Sequence, residues 1–278
     1  MISPSQLPGM MEEAGGGICL YIAAPNFYAE IFDFLTNDLN ISAEIIEPLN
    51  APAVSGELLD VKRKFYAGAD IANPIRAEAI QGALLLPDRI TALRYLPRGG
   101  IAAEVGVAYG DFSERILALM KPAKFYAVDY FSQADPFAKF WGRDDFRRDN
   151  MPHQQWYERK FKKEIENGIL ETRQGLSWEC MADFPDDYFD YVYLDAAHDF
   201  YSVKKDISVL INKVKDGGYI QFNDYCCGPL LAAWGYGVLA NVNTFINNGS
   251  HKVKYFCLSP IGHYDIVTEV RKNIAKGR

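Results

Sequence analysis

An apolar run that breaks on glycines, followed two dozen residues later by a second apolar run ending in a carboxylate, constrains this chain more than any other feature. Ile101, Ala102, Ala103 and Val105 read as a buried strand, because a parallel strand covered on both faces carries apolar residues without alternation. Glu104, Gly106 and Gly110 place the turn that leaves it, and Asp111-Phe112-Ser113-Glu114 reads as a capped helix start. Phe125, Tyr126, Ala127 and Val128 form the next strand, which ends on Asp129. A strand, a glycine turn, a helix and an acid-tipped strand open the kind of α/β sheet that holds a nucleoside at its carboxyl edge. There the acid can grip the two ribose hydroxyls.

The alternation continues. A helix over Tyr157–Asn167 closes on Gly168, and a third strand (Leu170–Gln174) leads to Gly175-Leu176-Ser177. The fourth strand, Tyr191–Leu194, ends at Asp195, and the helix Ser202–Val214 buries Val203, Ile207, Leu210 and Ile211 along one stripe. Lys215-Asp216-Gly217-Gly218 turns into a fifth strand, Tyr219–Phe222, which ends on Asn223-Asp224. After a helix from Val238 to Asn247, the runs Lys252–Leu258 and Tyr264–Val270 read as a closing antiparallel hairpin. The expected fold is therefore α/β, a Rossmann-like, mostly parallel sheet of seven strands with an antiparallel last strand and helices on both faces.

Two segments stand apart from this domain of residues 74–278. Residues 1–73 read as an N-terminal helical cap or arm around the amphipathic Phe27, Tyr28, Ile31, Phe32, Phe34 and Leu35, with Pro74–Leu96 as two helical pieces interrupted at Pro87. Tyr130–Trp156, crowded with aromatic and charged residues, is too irregular for a core element and reads as a lid.

Composition narrows the function. With 278 residues and 49% hydrophobic content, the chain can bury a full α/β core and an accessory region. A net charge of −7 speaks against tracking a phosphate backbone, so nucleic acid is not the expected partner. Cys19, Cys180, Cys226, Cys227 and Cys257 lack C-x-x-C spacing and read as reduced thiols of a cytoplasmic protein. The apolar stretch Ile18–Ala24 is too short to span a bilayer, so neither a membrane anchor nor a signal peptide is expected.

The glycine turn also bears on the cofactor. A dinucleotide site needs a glycine where this chain has Ala108, so that the backbone can approach a pyrophosphate. An acid two residues before Gly106 suits a ligand carrying an ammonium and a sulfonium instead. The spacing Glu104-x-Gly106-x-x-x-Gly110 resembles the first motif of class I S-adenosylmethionine-dependent methyltransferases. Within that superfamily, Asp195-Ala196-Ala197-His198 followed by Asn223-Asp224 resembles the metal-dependent O-methyltransferases of the catechol and natural-product sugar types. The resemblance implies S-adenosylmethionine held by Glu104, Gly106, Tyr109, Gly110, Ser113, Asp129, Tyr130, Gly175, Ser177 and Asp195.

It further implies Asp195, Asn223 and Asp224 as oxygen ligands for a magnesium ion. His198 stands where the catechol enzymes carry their basic lysine, so His198 with Asp195 is the expected catalytic pair. Asn-Asp at 223–224 departs from the Asp-Asn and Asp-Asp of those enzymes and removes a carboxylate from the metal set. His198 can equally brace the helix that follows it. The remaining histidines, His153, His251 and His263, show no partner in the sequence and read as surface or loop residues. Base-nitrogen methylases often carry Asp/Asn-Pro-Pro-Tyr after strand four, whereas Asp-Ala-Ala-His here argues for a hydroxyl acceptor on a small molecule. A nicotinamide-dependent oxidoreductase and a catalytically silent binding subunit are the alternatives. The apolar arm makes a homodimer or higher homo-oligomer the expected assembly.

Overall fold

The structure, a computed structural model, describes residues 20–22, 34–38, 46–48, 74–131, 151–226, 236–260 and 262–272. The chain divides into two compact units, Met1–Asp60 and Val61–Arg278. In the first, β1 (Leu20–Ile22) runs parallel to β2 (Ile46–Pro48), and one π-helical turn at Phe34–Asp38 buries Leu35. Phe27, Tyr28, Ile31 and Phe32 of the expected amphipathic segment lie outside the described residues, as do residues 132–150 of the expected lid.

In the second unit, strands β3 (Leu84–Leu86), β4 (Ile101–Val105), β5 (Lys124–Asp129), β6 (Leu170–Gln174), β7 (Phe189–Leu194), β8 (Val214–Phe222), β9 (Lys252–Cys257) and β10 (Asp265–Glu269) form one sheet. Their order is β3-β9-β10-β8-β7-β4-β5-β6. Every neighbouring pair is parallel except the two that β10 makes, with β8 and with β9. The chain steps outward from β4 through β5 to β6, then returns to the other side of β4 with β7. The crevice between the carboxyl ends of β4 and β7 is thus the point where the strand order reverses, the place at which such sheets take ligands.

Eight strands stand where seven were expected. The additional one is β3, whose three leucines follow Ala79 and Ile80 and so fit a helical stripe as well as a strand. Its identity is set from outside, by parallel pairing of Leu84–Leu86 with Tyr255–Cys257. The turn expected at Lys215–Gly218 is instead the irregular start of β8, marked by a register shift opposite Phe189 and Tyr191.

Helices α1 (Ala77–Ile80), α2 (Arg89–Ala92), α3 (Asp111–Met120), α4 (His153–Lys160), α5 (Lys162–Glu166), α6 (Ser177–Ala182), α7 (Phe200–Lys213) and α8 (Val238–Asn248) cover both faces. Strand alternation sorts the core into two layers. Phe125, Ala127, Tyr191 and Tyr193 face Phe112, Ile116 and Tyr157, whereas Val128, Val192, Leu194, Ile220 and Phe222 face Met181, Val203, Leu210 and Phe245. Sealing an aromatic ring such as Phe125 or Phe222 contributes about 1.5–3 kcal/mol each, which is how two thin layers outweigh chain entropy. None of the described helices is long and apolar enough to cross a membrane. Cys180 and Cys257 form no disulfide, and burial pushes the Cys257 thiol up to about 12.

One core group works against stability. Asp206 on α7 is 2% exposed and neither of its carboxylate oxygens has a hydrogen-bond partner. Burial pushes its pKa up to about 6. A carboxyl whose folded pKa lies above its unfolded value near 3.8 binds more protons folded than unfolded, so stability declines as pH rises from about 4 to 6. The Asp206→Asn variant should lose that decline and gain roughly 1–3 kcal/mol at pH 8. Urea unfolding at pH 4 and pH 8 measures it, and equal stability of variant and parent at pH 8 would refute the assignment.

Candidate active site

The crevice is built on a backbone contact. Asp195 N–H donates to the Val105 carbonyl at 2.7 Å and Gly106 N–H to the Val128 carbonyl at 2.8 Å, so the strand ends of β7, β4 and β5 are tied together. Gly106 takes φ +89°, and a Cβ there would sit 1.9 Å from the Asp195 carbonyl oxygen. Gly110 takes φ +71° as the N-cap of α3, and a Cβ there would strike Phe161 at 2.5 Å and Tyr157 at 2.8 Å. Both glycines are therefore required by the protein's own packing, whatever ligand approaches them. The helix start is not side-chain capped as expected, because its N-cap is Gly110, which has no side chain; the Ser113 hydroxyl turns inward.

That hydroxyl answers the question posed by Glu104. The acid is 2% exposed, and Ser113 Oγ donates to it at 2.5 Å while Tyr157 Oη donates to Ser113 at 2.8 Å. The partner expected from a cationic ligand is supplied from within the fold, and burial holds the Glu104 carboxyl well above its ordinary range. Asp129 is likewise committed to the turn. Its Oδ2 accepts from Val107 N–H at 2.8 Å and its Oδ1 from Phe131 N–H at 2.8 Å, bracing the loop after β4 against the end of β5. Each oxygen keeps a second lone pair, so the brace does not exhaust the carboxylate.

The other expected cofactor residues border the same rim. Tyr130 is 61% exposed just beyond Asp129. Tyr109 packs edge-on against Trp156 at 5.7 Å, and its carbonyl accepts from Lys160 Nζ at 2.8 Å. Gly175 donates to the Asp129 carbonyl at 3.0 Å, and Ser177 opens α6.

Beyond β7 and β8 a second cluster forms. His198 Nε2 lies 3.5 Å from Asp195 Oδ1 and 3.6 Å from Asp224 Oδ2, with the ring stacked 5.4 Å from Tyr236. Burial draws the imidazole pKa down, but hydrogen bonding and charge from Asp195, with the Asp224 charge, outweigh it and raise the net value above the ordinary 6.5. Burial raises the Asp195 carboxyl, against the opposing pull of His198. Asp224 adopts φ +53°, a strained conformation outside glycine, and Tyr236 Oη donates to its carbonyl at 3.1 Å.

Here the expected magnesium set fails. Asn223 is 6% exposed, and its amide donates to Asp265 Oδ1 at 3.3 Å while its side chain also bonds His198. The His198 ring stands between the two aspartates that remain. Among the described residues no group of three or more His, Cys, Asp or Glu is arranged to hold a metal ion. The residues thus do not fit the ion that the resemblance implied, because the His198 ring occupies the space between the Asp195 and Asp224 carboxylates, while Gln221 on β8 and Asn223 just beyond it serve the buried Asp265, whose pKa burial pushes up to about 7.

The expectation that the remaining histidines lack partners is also corrected, since each has one, although His263 lies in a loop as expected. His153 is 2% exposed and its Nε2 meets the Ala108 carbonyl at 2.5 Å. His251 stacks on Phe245 at 4.1 Å, its Nδ1 accepts from Arg271 N–H at 3.0 Å, and burial lowers its pKa to about 4. His263 belongs to the site, with Nδ1 3.1 Å from Asp224 Oδ2. Its only sequence signal is the polar break between two strand-like runs, which does not specify which strand end it faces.

Residues 103–225, which span the rim from β4 to the Asn223-Asp224 loop, match the family model described as Methyltransferase domain. No curated protein matches the chain. Among solved structures, it is similar to the N-methyltransferase NodS from Bradyrhizobium japonicum (14% identity, TM-score 0.44, 66% of this chain and 95% of that one). It is also similar to precorrin-6y C5,15-methyltransferase from Geobacter metallireducens (13%, 0.43, 66% and 86%). A third is spermidine synthase from Thermotoga maritima (10%, 0.44, 66%), of whose length it covers 57%.

The close approach at Gly106 yields a test. Gly106→Ala should cost roughly 3 kcal/mol or more through clash and positive φ. Gly168→Ala, at φ +71° with open space around it, should cost only about 1–2 kcal/mol. Chemical denaturation of both variants checks the ordering. The sheet is thus Rossmann-like, and residues 103–225, less than half of the chain, are similar to a methyltransferase domain.

Proposed function

We propose that this chain transfers the methyl group of S-adenosylmethionine to a hydroxyl of a small molecule. The observation that carries the reading is the His198 imidazole, set between the Asp195 and Asp224 carboxylates beside the crevice where the strand order reverses. The sulfonium methyl is already activated, so the protein has to align an acceptor oxygen with it and take up the proton released. Alignment contributes roughly 7–11 kcal/mol in favourable cases. His198 is the base of this scheme. Asp195 and Asp224 orient the ring and stabilise the imidazolium formed when the acceptor O–H proton moves to it, while the new O–CH3 bond forms and S-adenosylhomocysteine leaves. Asp129 and the loop that it braces hold the nucleoside. No step is routed through a metal, in keeping with the His198 ring between Asp195 and Asp224.

The test is turnover. Purified protein incubated with S-adenosylmethionine and a panel of hydroxylated sugars, phenols and polyketides should release S-adenosylhomocysteine with one class of acceptor. The His198→Ala variant should lose about 10²–10⁴ in kcat, the usual worth of a positioned base. An unchanged kcat would remove His198 from the mechanism. Binding of a nicotinamide dinucleotide in place of S-adenosylmethionine, followed by tryptophan fluorescence, would favour the oxidoreductase alternative.

A further inference from the structure

We infer that Arg89 is the residue that recognises the α-carboxylate of the cofactor's methionine portion. The inference rests on the reading of the site as an S-adenosylmethionine pocket, and it begins from the strand that the sequence concealed. Because β3 runs parallel to β9, and β9 parallel to β8 through the two antiparallel contacts of β10, the carboxyl end of β3 reaches the same rim as β4, β7 and β8. Pro87, Asp88 and Arg89 follow immediately. Asp88 caps α2, accepting from Thr91 N–H at 2.7 Å and from Thr91 Oγ1 at 3.0 Å, and so fixes Arg89 as the first residue of that helix.

The guanidinium is then aimed by aromatic groups. Arg89 Nη1 donates to Tyr193 Oη at 2.8 Å, and its Cζ lies 5.1 Å from the Phe112 ring centre. Tyr193 stands two residues before Asp195 on β7, and Phe112 two residues after Gly110 in the first turn of α3. The charge is therefore carried to the start of α3 and the end of β7, the two elements that wall the crevice. It feels the fields of Asp195 and Asp265, which favour its protonated form.

Among the described residues, Arg89 hydrogen-bonds Tyr193 with one of its five N–H donors, and the acids that act on it, Asp265 and Asp195, do so only through their fields. Lys160, which also borders the rim, is already paired with Asp111 at 3.1 Å and Glu114 at 3.2 Å. A rim lined with Asp129, Asp195 and Asp224 suits the sulfonium and ammonium of the ligand but repels its carboxylate. Arg89 supplies the missing opposite charge, in a fork that matches a carboxylate bidentately.

The experiment compares S-adenosylmethionine with its decarboxylated form, which keeps the adenosyl group, the sulfonium and the ammonium and lacks only the carboxylate. Calorimetry with the full chain should show wild type preferring S-adenosylmethionine. Arg89→Met, which keeps an apolar stem over Phe112, should weaken S-adenosylmethionine about 10- to 100-fold while leaving the decarboxylated ligand within about twofold, so that the preference disappears. Arg89→Lys should restore part of it. Matching melting temperatures would show that both variants fold.

If Arg89→Met weakens the two ligands equally, or neither, Arg89 does not read the carboxylate and the inference falls while the cofactor assignment stands. If wild type binds neither ligand, the proposed function falls and this inference with it.

Discussion

The molecule depends on how closely two backbones can meet. At the reversal of strand order, β4 and β7 must pair up to Val105 and Leu194 and then diverge, and their divergence begins with Gly106 lodged against the Asp195 peptide. No side chain can occupy that space, so the residues on either side are fixed relative to each other by main-chain geometry. Asp195 cannot drift from the glycine turn, and Asp129, through its bonds to Val107 and Phe131, cannot drift from it either. A rim that would hold its acids within half an ångström of useful positions needs this sort of support, because loop side chains alone would not provide it.

Behind the rim lies a second requirement, that acids placed in an apolar sheet be answered by neutral donors. Ser113 and Tyr157 answer Glu104 at one point of a single layer, and Gln221 and Asn223 answer Asp265 at another point of the same layer. Tyr191 Oη donates to Gln221 at 2.9 Å, which leaves the amide free to donate to Asp265. Such fully connected groups rigidify a core, whereas half-connected ones cost stability. The contrast with Asp206, buried without such donors, shows the difference within a single chain.

The sheet was readable where periodicity and strand ends agree. Phe125–Asp129, Leu170–Gln174 and Tyr191–Leu194 are bounded by turns and carry residue types that pack on two faces, so local pattern and tertiary role coincide. Leu84–Leu86 failed because three apolar residues fit either a helix or an edge strand, and only β9 decides between them. The rim acids were visible as residues that end strands, but their directions were not. Asn223 could be placed beside Asp224 from sequence, yet its turn toward Asp265 depends on β10, which comes 42 residues later. Arg89 and His263 were missed for the same reason: each reaches the rim from an element whose neighbour is remote in the chain.

One consequence of the strand order concerns how the protein can be made. β10 is an interior strand, hydrogen-bonded on both sides, although it lies at residues 265–269. Until it emerges from the ribosome, β8 has an open edge and β9 and β3 have no place in the sheet, so a nascent chain holding residues 74–258 exposes a half-built apolar surface. Closure demands contacts between residues far apart in sequence, which is slow and invites pairing between neighbouring nascent chains. Synthesis therefore leaves a vulnerable interval, and chaperone dependence should be set by the delay between the emergence of β8 and that of β10.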